Sequence, residues 1–161
     1  MIEVTDFNAI NESAMLQDLS KEDLAVLAKF CDKKHMTKGM TVFIENMPGE
    51  SLFLISQGTV RISKMFAEAD EKALVDLGPS DIFGEMAVID GLPRSATARV
   101  VDAVDLISLK KADFEKLCRE KPSLALKLVM NIVRVFSRRI RETNEDYRDM
   151  LIWSMKTSGK G

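Results

Sequence analysis

The order of residues predicts an α+β fold: an antiparallel double-stranded β-helix (jelly-roll) flanked by an N-terminal helix and a long C-terminal helix. Three observations carry that expectation. From Lys38 to Lys110 short apolar runs follow one another with no helix-length segment between them. Stretches of helical period lie on either side. The second of these is one long amphipathic run. Consecutive short strands without crossover helices exclude a parallel βαβ sheet, and a closed or doubled sheet removes exposed edges.

At 161 residues, 46% apolar and 30% charged, the chain reads as one soluble domain over 1–161 that buries roughly 70% of its unfolded surface. The N-terminal part, residues 13–34, reads as helix. Ser20 is a suitable cap for KEDLAVLAKFCDKK, acidic residues occupy the first turn, and Leu24, Leu27, Ala28 and Cys31 share one face.

Residues 38–110 form the roll. MTVFIEN, SLFLISQGTVRISKM, KALVDLG, ATARVV and VDLISLK are rich in strand-forming side chains. Gly39, Pro48-Gly49, Gln57-Gly58, Gly78-Pro79 and Gly91 punctuate them as turns. Helix resumes over 111–155. ADFEKLCRE ends at the Lys121-Pro122 step, and Ser123 caps the long helix. Its positions Leu126, Val129, Val133, Phe136, Ile140, Thr143, Tyr147 and Met150 alternate spacings of three and four. That heptad seam predicts a homodimer through helix 123–155, with the first two turns packed on the sheet. The closing KTSGKG reads as a flexible end.

Composition excludes several functions. With 23 basic and 25 acidic side chains, net −2, there is no excess positive charge for coating nucleic acid or an anionic membrane. No run reaches the ~18 apolar residues of a membrane span, and MIEVTDFNAI lacks the pattern of a signal peptide. Cys31 and Cys118, far apart in helix-like surroundings, imply a reducing cytoplasm rather than a disulfide framework. The single histidine, His35, excludes a multi-histidine metal centre and with it a cupin-type metalloenzyme. The cysteines and His35 are equally poor ligands for haem or an iron–sulfur cluster. No Ser-His-Asp, Cys-His or paired-carboxylate arrangement is visible, so no enzyme and no cofactor is expected.

The chemistry concentrates in residues 83–100, FGEMAVIDGLPRSATARV. Glu85 and Arg94 sit inside a small, apolar segment. Burying either charge alone is costly, which leaves two readings: a mutual ion pair at a sheet edge, or a ligand with complementary groups. An aromatic-Gly-Glu turn opening a short helical turn exposes backbone N–H groups that favour an anion. Arg94 supplies a positive fork suited to phosphate, with Ser95 and Ala96 adding N–H groups and a hydroxyl. Glu85 has the wrong sign for phosphate and suits a sugar hydroxyl. Gly84, Gly91 and the small residues near Arg94 let a ligand approach the backbone.

This stretch resembles the phosphate-binding cassette of cyclic nucleotide-binding domains. Upstream, KGMTVFIENMPGESLFLISQGTVRIS resembles the family's first strands, including the step Gly58, Val60, Ile62, and LGPSDIFGE resembles the approach to the cassette. Downstream, FSRRIRETNEDYRDML is similar to the dimerising helix of catabolite-activator-type regulators. The resemblance spans residues 15–152.

It implies a sensor for cAMP, with cGMP the alternative, signalling through a homodimer helix to a downstream protein the sequence does not name. The implied ligand-binding set is Gly84, Glu85, Met86, Ala87, Arg94, Ser95, Ala96, Thr143 and Asn144. Glu85 would accept the ribose 2′-hydroxyl beside the Gly84 backbone, Arg94 and Ser95 would meet the cyclic phosphate, and Thr143 and Asn144 would face the purine. Asn144 departs from the hydroxyl residue such regulators carry, so the resemblance sets no base preference. The winged helix-turn-helix of those regulators does not occur before Gly161. Arg134, Arg138, Arg139 and Arg141 therefore read as the solvated flank of a coiled coil, pairing with Glu142, Glu145 and Asp146, and not as a DNA-reading surface. The competing reading is a non-binding structural protein that keeps the roll and the dimer helix.

Overall fold

The computed structural model describes residues 2–67 and 70–158. Two short helices open the chain, α1 (Val4–Asn8) and α2 (Lys21–Leu27), separated by a 3₁₀ turn at Ala14–Leu16. Ser20 caps α2 as expected: its Oγ accepts from the Asp23 N–H while the Asp23 carboxylate accepts from the Ser20 N–H, each at 3.1 Å.

The helix expected over 13–34 is corrected. After a second 3₁₀ turn at Ala28–Phe30, Cys31–Met36 forms strand β1. Its two ends are buried and its four central residues, Asp32, Lys33, Lys34 and His35, are exposed, so neither period can be read from it. Pairing with β6 holds it in place, with a cross-strand ion pair Asp32–Lys110 (2.9 Å) and a side-chain hydrogen bond between His35 Nδ1 and Asp105 Oδ1 (2.7 Å). Cys31 is therefore a strand residue, and burial, with Asp32 and Asp113 adding to it, pushes its thiol up to about 12.

The remaining strands are β2 (Thr41–Phe43), β3 (Ser51–Ala67), β4 (Asp70–Leu77), β5 (Ile82–Phe83) and β6 (Thr97–Lys110), and helix α3 (Glu85–Asp90) lies between β5 and β6. Every pairing is antiparallel, in the order β1-β6-β3-β4, with β2 on β6 and β5 on β3. The two strands expected at ATARVV and VDLISLK are one, β6. Gly58 sits where the β3–β6 register shifts. At φ +85° a side chain is already disfavoured, and a Cβ there would lie 2.2 Å from the Ala103 carbonyl oxygen.

Period-two alternation divides the core into two. On β3, Leu52 and Leu54 join a cluster with Phe7, Ile10, Leu27, Leu117, Leu128 and Ile132 of the helical parts. Phe53 and Ile55 face the opposite way, into the roll, with Val60, Phe83, Ala98 and Val100. On β6, Ile107 and Leu109 turn to the helices, while Val104 and Leu106 turn inward. One sheet thus has two apolar faces, one filled by the roll itself and one covered by helices.

Helix α4 (Lys111–Glu120) follows β6 directly, and α5 (Pro122–Ser158) follows α4. Pro122 stands in the first turn, where a missing N–H costs nothing. At 37 residues α5 is about 55 Å long. Its buried stripe is Leu124, Ala125, Leu128, Asn131, Ile132 and Val135. Asn131 donates to the carbonyls of Met15 (3.0 Å) and Gln17 (2.7 Å), so the helix is tied to the N-terminal segment by hydrogen bonds as well as by apolar packing.

The packing expected of the heptad seam's first turns on the sheet is not observed. Leu126 is 63% exposed, Val133 46% and Ile140 60%; only Val129 and Phe136 are half-buried against the core. From Arg141 to Thr157 the helix is exposed all round. The helix continues through Ser158, past the start of the flexible end expected at 156–161; residues 159–161 lie outside the described residues.

Candidate ligand site

Two glycines bracket the short helix that carries Glu85. Strand β5 ends at Phe83, Gly84 turns the chain at φ +75°, α3 runs from Glu85 to Asp90, and Gly91 ends it at φ +72°. Glu85, Ala87 and Val88 point inward, and Met86 and Ile89 face out. The loop that follows is pinned where Arg94 exchanges backbone hydrogen bonds with the 46–47 turn: its N–H donates to the Met47 carbonyl (2.8 Å) and its carbonyl accepts from the Asn46 N–H (2.9 Å).

Arg94 is 5% exposed. Its guanidinium donates through Nη1 to the Gly84 carbonyl and through Nη2 to the Ser51 carbonyl, both at 2.8 Å. It lies 4.1 Å over the Phe43 ring, part of an aromatic group with Phe53 and Phe83. A Cβ on Gly84 would stand 2.7 Å from Nη1 and one on Gly49 2.9 Å from Nε, so bare backbone is what allows the fit. Among the described residues, Arg94 Nε is the buried side-chain donor left without a partner. Burial lowers the Arg94 pKa, opposed by the carboxylates of Glu85 and Glu50.

Glu85 is 3% exposed, and its partner is not Arg94. Arg139, halfway along α5, donates to Glu85 Oε1 at 2.8 Å and to the Ile82 carbonyl. This corrects the reading of the arginine cluster as a solvated flank. Arg139 reaches back into the roll and Arg134 bonds Asn131 and Asp18; the expected pairs with Glu142, Glu145 and Asp146 do not form among the described residues. The mutual Glu85–Arg94 ion pair is likewise not formed: both charges are held by other groups. Burial raises the Glu85 pKa, opposed by Arg139, by its own backbone N–H and by Arg94.

These groups line a cavity of about 900 Å³, within the size range of small-molecule sites. Of the residues predicted to bind, Gly84, Glu85, Met86, Ala87, Arg94, Ser95, Ala96 and Thr143 line it. Asn144 does not line the cavity of its own chain: it lies one position round the helix from Thr143, off the face that carries Glu142, Thr143 and Asp146. Thr143 Oγ1 donates to the Arg139 carbonyl (2.9 Å), and Ser95 Oγ lies 3.6 Å from Met86 Sδ. Residues not anticipated as lining include Phe43, Lys64, Leu74, Asp76, Asp81, Arg138, Arg139, Glu142 and Asp146. Among the described residues no group of three potential metal ligands occurs, and no helix is long and apolar enough to cross a membrane.

The cavity pairs a buried cation carrying a free N–H with a carboxylate aimed by a second cation, on an antiparallel roll closed by helices. Over residues 33–121 the sequence matches the cyclic nucleotide-binding domain family, and the chain belongs to it. Among its relatives is the CRP-like cAMP-activated global transcriptional regulator of Mycobacterium tuberculosis, 30% identical over 86% of this chain. The chain spans 60% of that regulator's length. The fold is similar to a cyclic nucleotide-binding domain of Methylobacillus flagellatus (TM-score 0.83, 25% identity, 90% of this chain and 84% of that one). It is also similar to the catabolite activator protein of Thermus thermophilus (TM-score 0.75, 27% identity, 84% and 62%).

The burial of Glu85 yields a prediction about pH. With the folded-state pKa above the unfolded value, the fold binds more protons than the unfolded chain. Stability therefore falls as pH rises from the ordinary glutamate value of 4.5 through the raised one, and levels off beyond. Glu85→Gln, which keeps an acceptor for Arg139, removes this loss. Thermal melts across that range should show the Gln variant gaining on the parent as pH rises; a constant difference would contradict the burial cost.

Proposed function

We propose that this chain is a binding module for a purine 3′,5′-cyclic nucleotide, cAMP or cGMP, and acts as a regulatory sensor rather than an enzyme. The observation that carries the reading is the unpartnered Nε of buried Arg94 in the same cavity as Glu85. Arg94 is 5% exposed with one N–H unused, which leaves capacity for a charge-assisted hydrogen bond to an anion. Arg94 and the adjoining Ser95 receive the cyclic phosphate, and the Glu85 carboxylate accepts the ribose 2′-hydroxyl. The relatives' names support cAMP as a ligand of the class.

Calorimetric and thermal-shift titration with cAMP and cGMP, with 5′-AMP as control, tests the reading. Ligand at 100 times its Kd should stabilise the fold by ~2.7 kcal/mol. No response to either cyclic nucleotide would leave the competing reading, a non-binding scaffold.

The output runs through α5. Arg139 joins the Glu85 corner to the helix, so a ligand that draws on Glu85 acts on the element that carries the seam. The ligand shifts the helix only by its differential affinity for two arrangements. The exposed seam supports a homodimer through helix 123–155; the two separated cysteines fit a cytoplasmic location, and the near-balanced charge fits no DNA reading by these residues. Ile140→Asp places a charge in that seam at a site with no core contact. Sedimentation should show the parent as a dimer and the variant as a monomer with an unchanged melt; a monomeric parent would contradict the dimer.

A further inference from the structure

We infer that Phe43 is the positioning residue of the anion end of the cavity: its ring face carries the Arg94 guanidinium and sets it in the orientation that an anion meets. The inference rests on the cyclic-nucleotide reading only for the identity of that anion.

The placement of Phe43 begins with a break in pairing. Strand β2 lies on β6 with Thr41 opposite Arg99 and Phe43 opposite Ala98, so the register shifts between them. Unbroken antiparallel register would set Phe43 against Thr97. A shift of this kind re-aims the side chain that follows it. Phe43 is left half-buried, packed against the inward-facing cluster of the roll and lining the cavity.

Two further rings fix it. Its centroid lies 5.8 Å from that of Phe83 and 6.2 Å from that of Phe53. Those two rings stack at 5.2 Å across a paired position of β3 and β5. The same two segments supply the acceptors for Arg94. Gly84, next to Phe83, and Ser51, two residues before Phe53, offer their carbonyls to Nη1 and Nη2, each at 2.8 Å. Guanidinium N–H bonds lie in the plane of the group, so these contacts hold its edge. The face is left to Phe43, 4.1 Å from Cζ at its centroid, against 6.0 Å for Phe53. The ring and the carbonyls therefore belong to one assembly, and Arg94 cannot tilt from one without losing the other.

The ring also answers a charge. Among the described residues Arg94, 5% exposed, has no ion-pair partner, and Glu85 is engaged by Arg139. A buried cation without a counter-ion is stabilised by carbonyl dipoles and by the negative face of an aromatic ring, the more so where water is excluded. An aliphatic side chain supplies neither the quadrupole nor a flat support. Without the ring the guanidinium is less restrained, and an anion has to order it on binding, which lowers affinity. Phe43 acts through Arg94 and needs no contact with the ligand.

The test is calorimetric titration of the full chain with cAMP and cGMP after substitution at position 43. Phe43→Leu should bind the nucleotide that the parent binds about 10-fold more weakly, while Phe43→Tyr, which keeps the ring face, stays within about 3-fold of the parent. Phe43→pentafluorophenylalanine separates packing from electrostatics, because it keeps the ring's shape and reverses its quadrupole; it should lose as much as Phe43→Leu. Parental affinity in a folded Phe43→Leu variant, or a loss there that the fluorinated ring does not share, overturns the inference. A second readout needs no nucleotide. The Arg94 Nε–H resonance, assigned by its absence from Arg94→Lys, should be displaced by the ring current in the parent and return toward the ordinary arginine position in Phe43→Leu. An unmoved resonance overturns the inference as well. A parent that binds neither nucleotide yet shows the displaced resonance overturns the cyclic-nucleotide reading and supports Phe43 as the support of Arg94.

Discussion

Arg94→Ala is expected to weaken cyclic-nucleotide binding by about 2–5 kcal/mol, some 30- to several-thousand-fold, because it strands the phosphate charge in a largely desolvated pocket. The residue also has a structural duty. Its guanidinium satisfies the carbonyls of Gly84 and Ser51 and covers the Phe43 ring. Truncation leaves two carbonyls without partners at about 1–3 kcal/mol each where water does not enter. Binding and stability therefore need separate readings: calorimetry for the first, urea melts for the second. Arg94→Lys separates them further. It keeps the charge and loses the planar fork, so it should retain some phosphate affinity while failing to bridge both carbonyls. Unchanged affinity in a folded Arg94→Ala variant would make Arg94 a structural strut and remove it from the ligand.

Leu128→Ala is the second large effect expected. Leu128 is fully buried where α5 meets the N-terminal helices. Truncating such a leucine costs about 3–5 kcal/mol through lost burial and residual cavity. For a chain of this size that lowers the melting temperature by roughly 6–20 °C. Leu126→Ala, two positions earlier and 63% exposed, should change the stability of the single chain by less than about 0.5 kcal/mol. Together the two substitutions separate the core-facing stripe of the helix from its seam. Equal effects would mean that the helix is rotated from the orientation described.

Much of the candidate site is legible along the chain because it is contiguous. Gly84, Glu85, Arg94 and Ser95 fall within twelve positions, and a buried-looking segment that contains two charges demands partners wherever it folds. What those partners are is not legible. Glu85 draws on Arg139, 54 residues away, and nothing local distinguishes Arg139 from its neighbours Arg138 and Arg141. Arg94 takes carbonyls from Gly84 and Ser51, and backbone acceptors carry no sequence signal. Strand β1 is not legible for a related reason: its four central side chains are exposed, so main-chain pairing, not side-chain period, makes it a strand.

The residue order alone determines the alternation of apolar side chains in β3 and β6, the glycines that turn the cassette, the heptad spacing and the poverty of metal ligands. These are local or periodic properties, set by chain geometry and side-chain type. Tertiary structure alone decides which face of α5 enters the core, which arginine meets Glu85, and that Asn144 stays outside the cavity while Glu142 and Asp146 line it. A helix with two apolar stripes can bury either one. The choice belongs to long-range packing, here to Leu128, Asn131 and Ile132 against the N-terminal segment, because only there do buried area and hydrogen bonds to Met15 and Gln17 add on the same face.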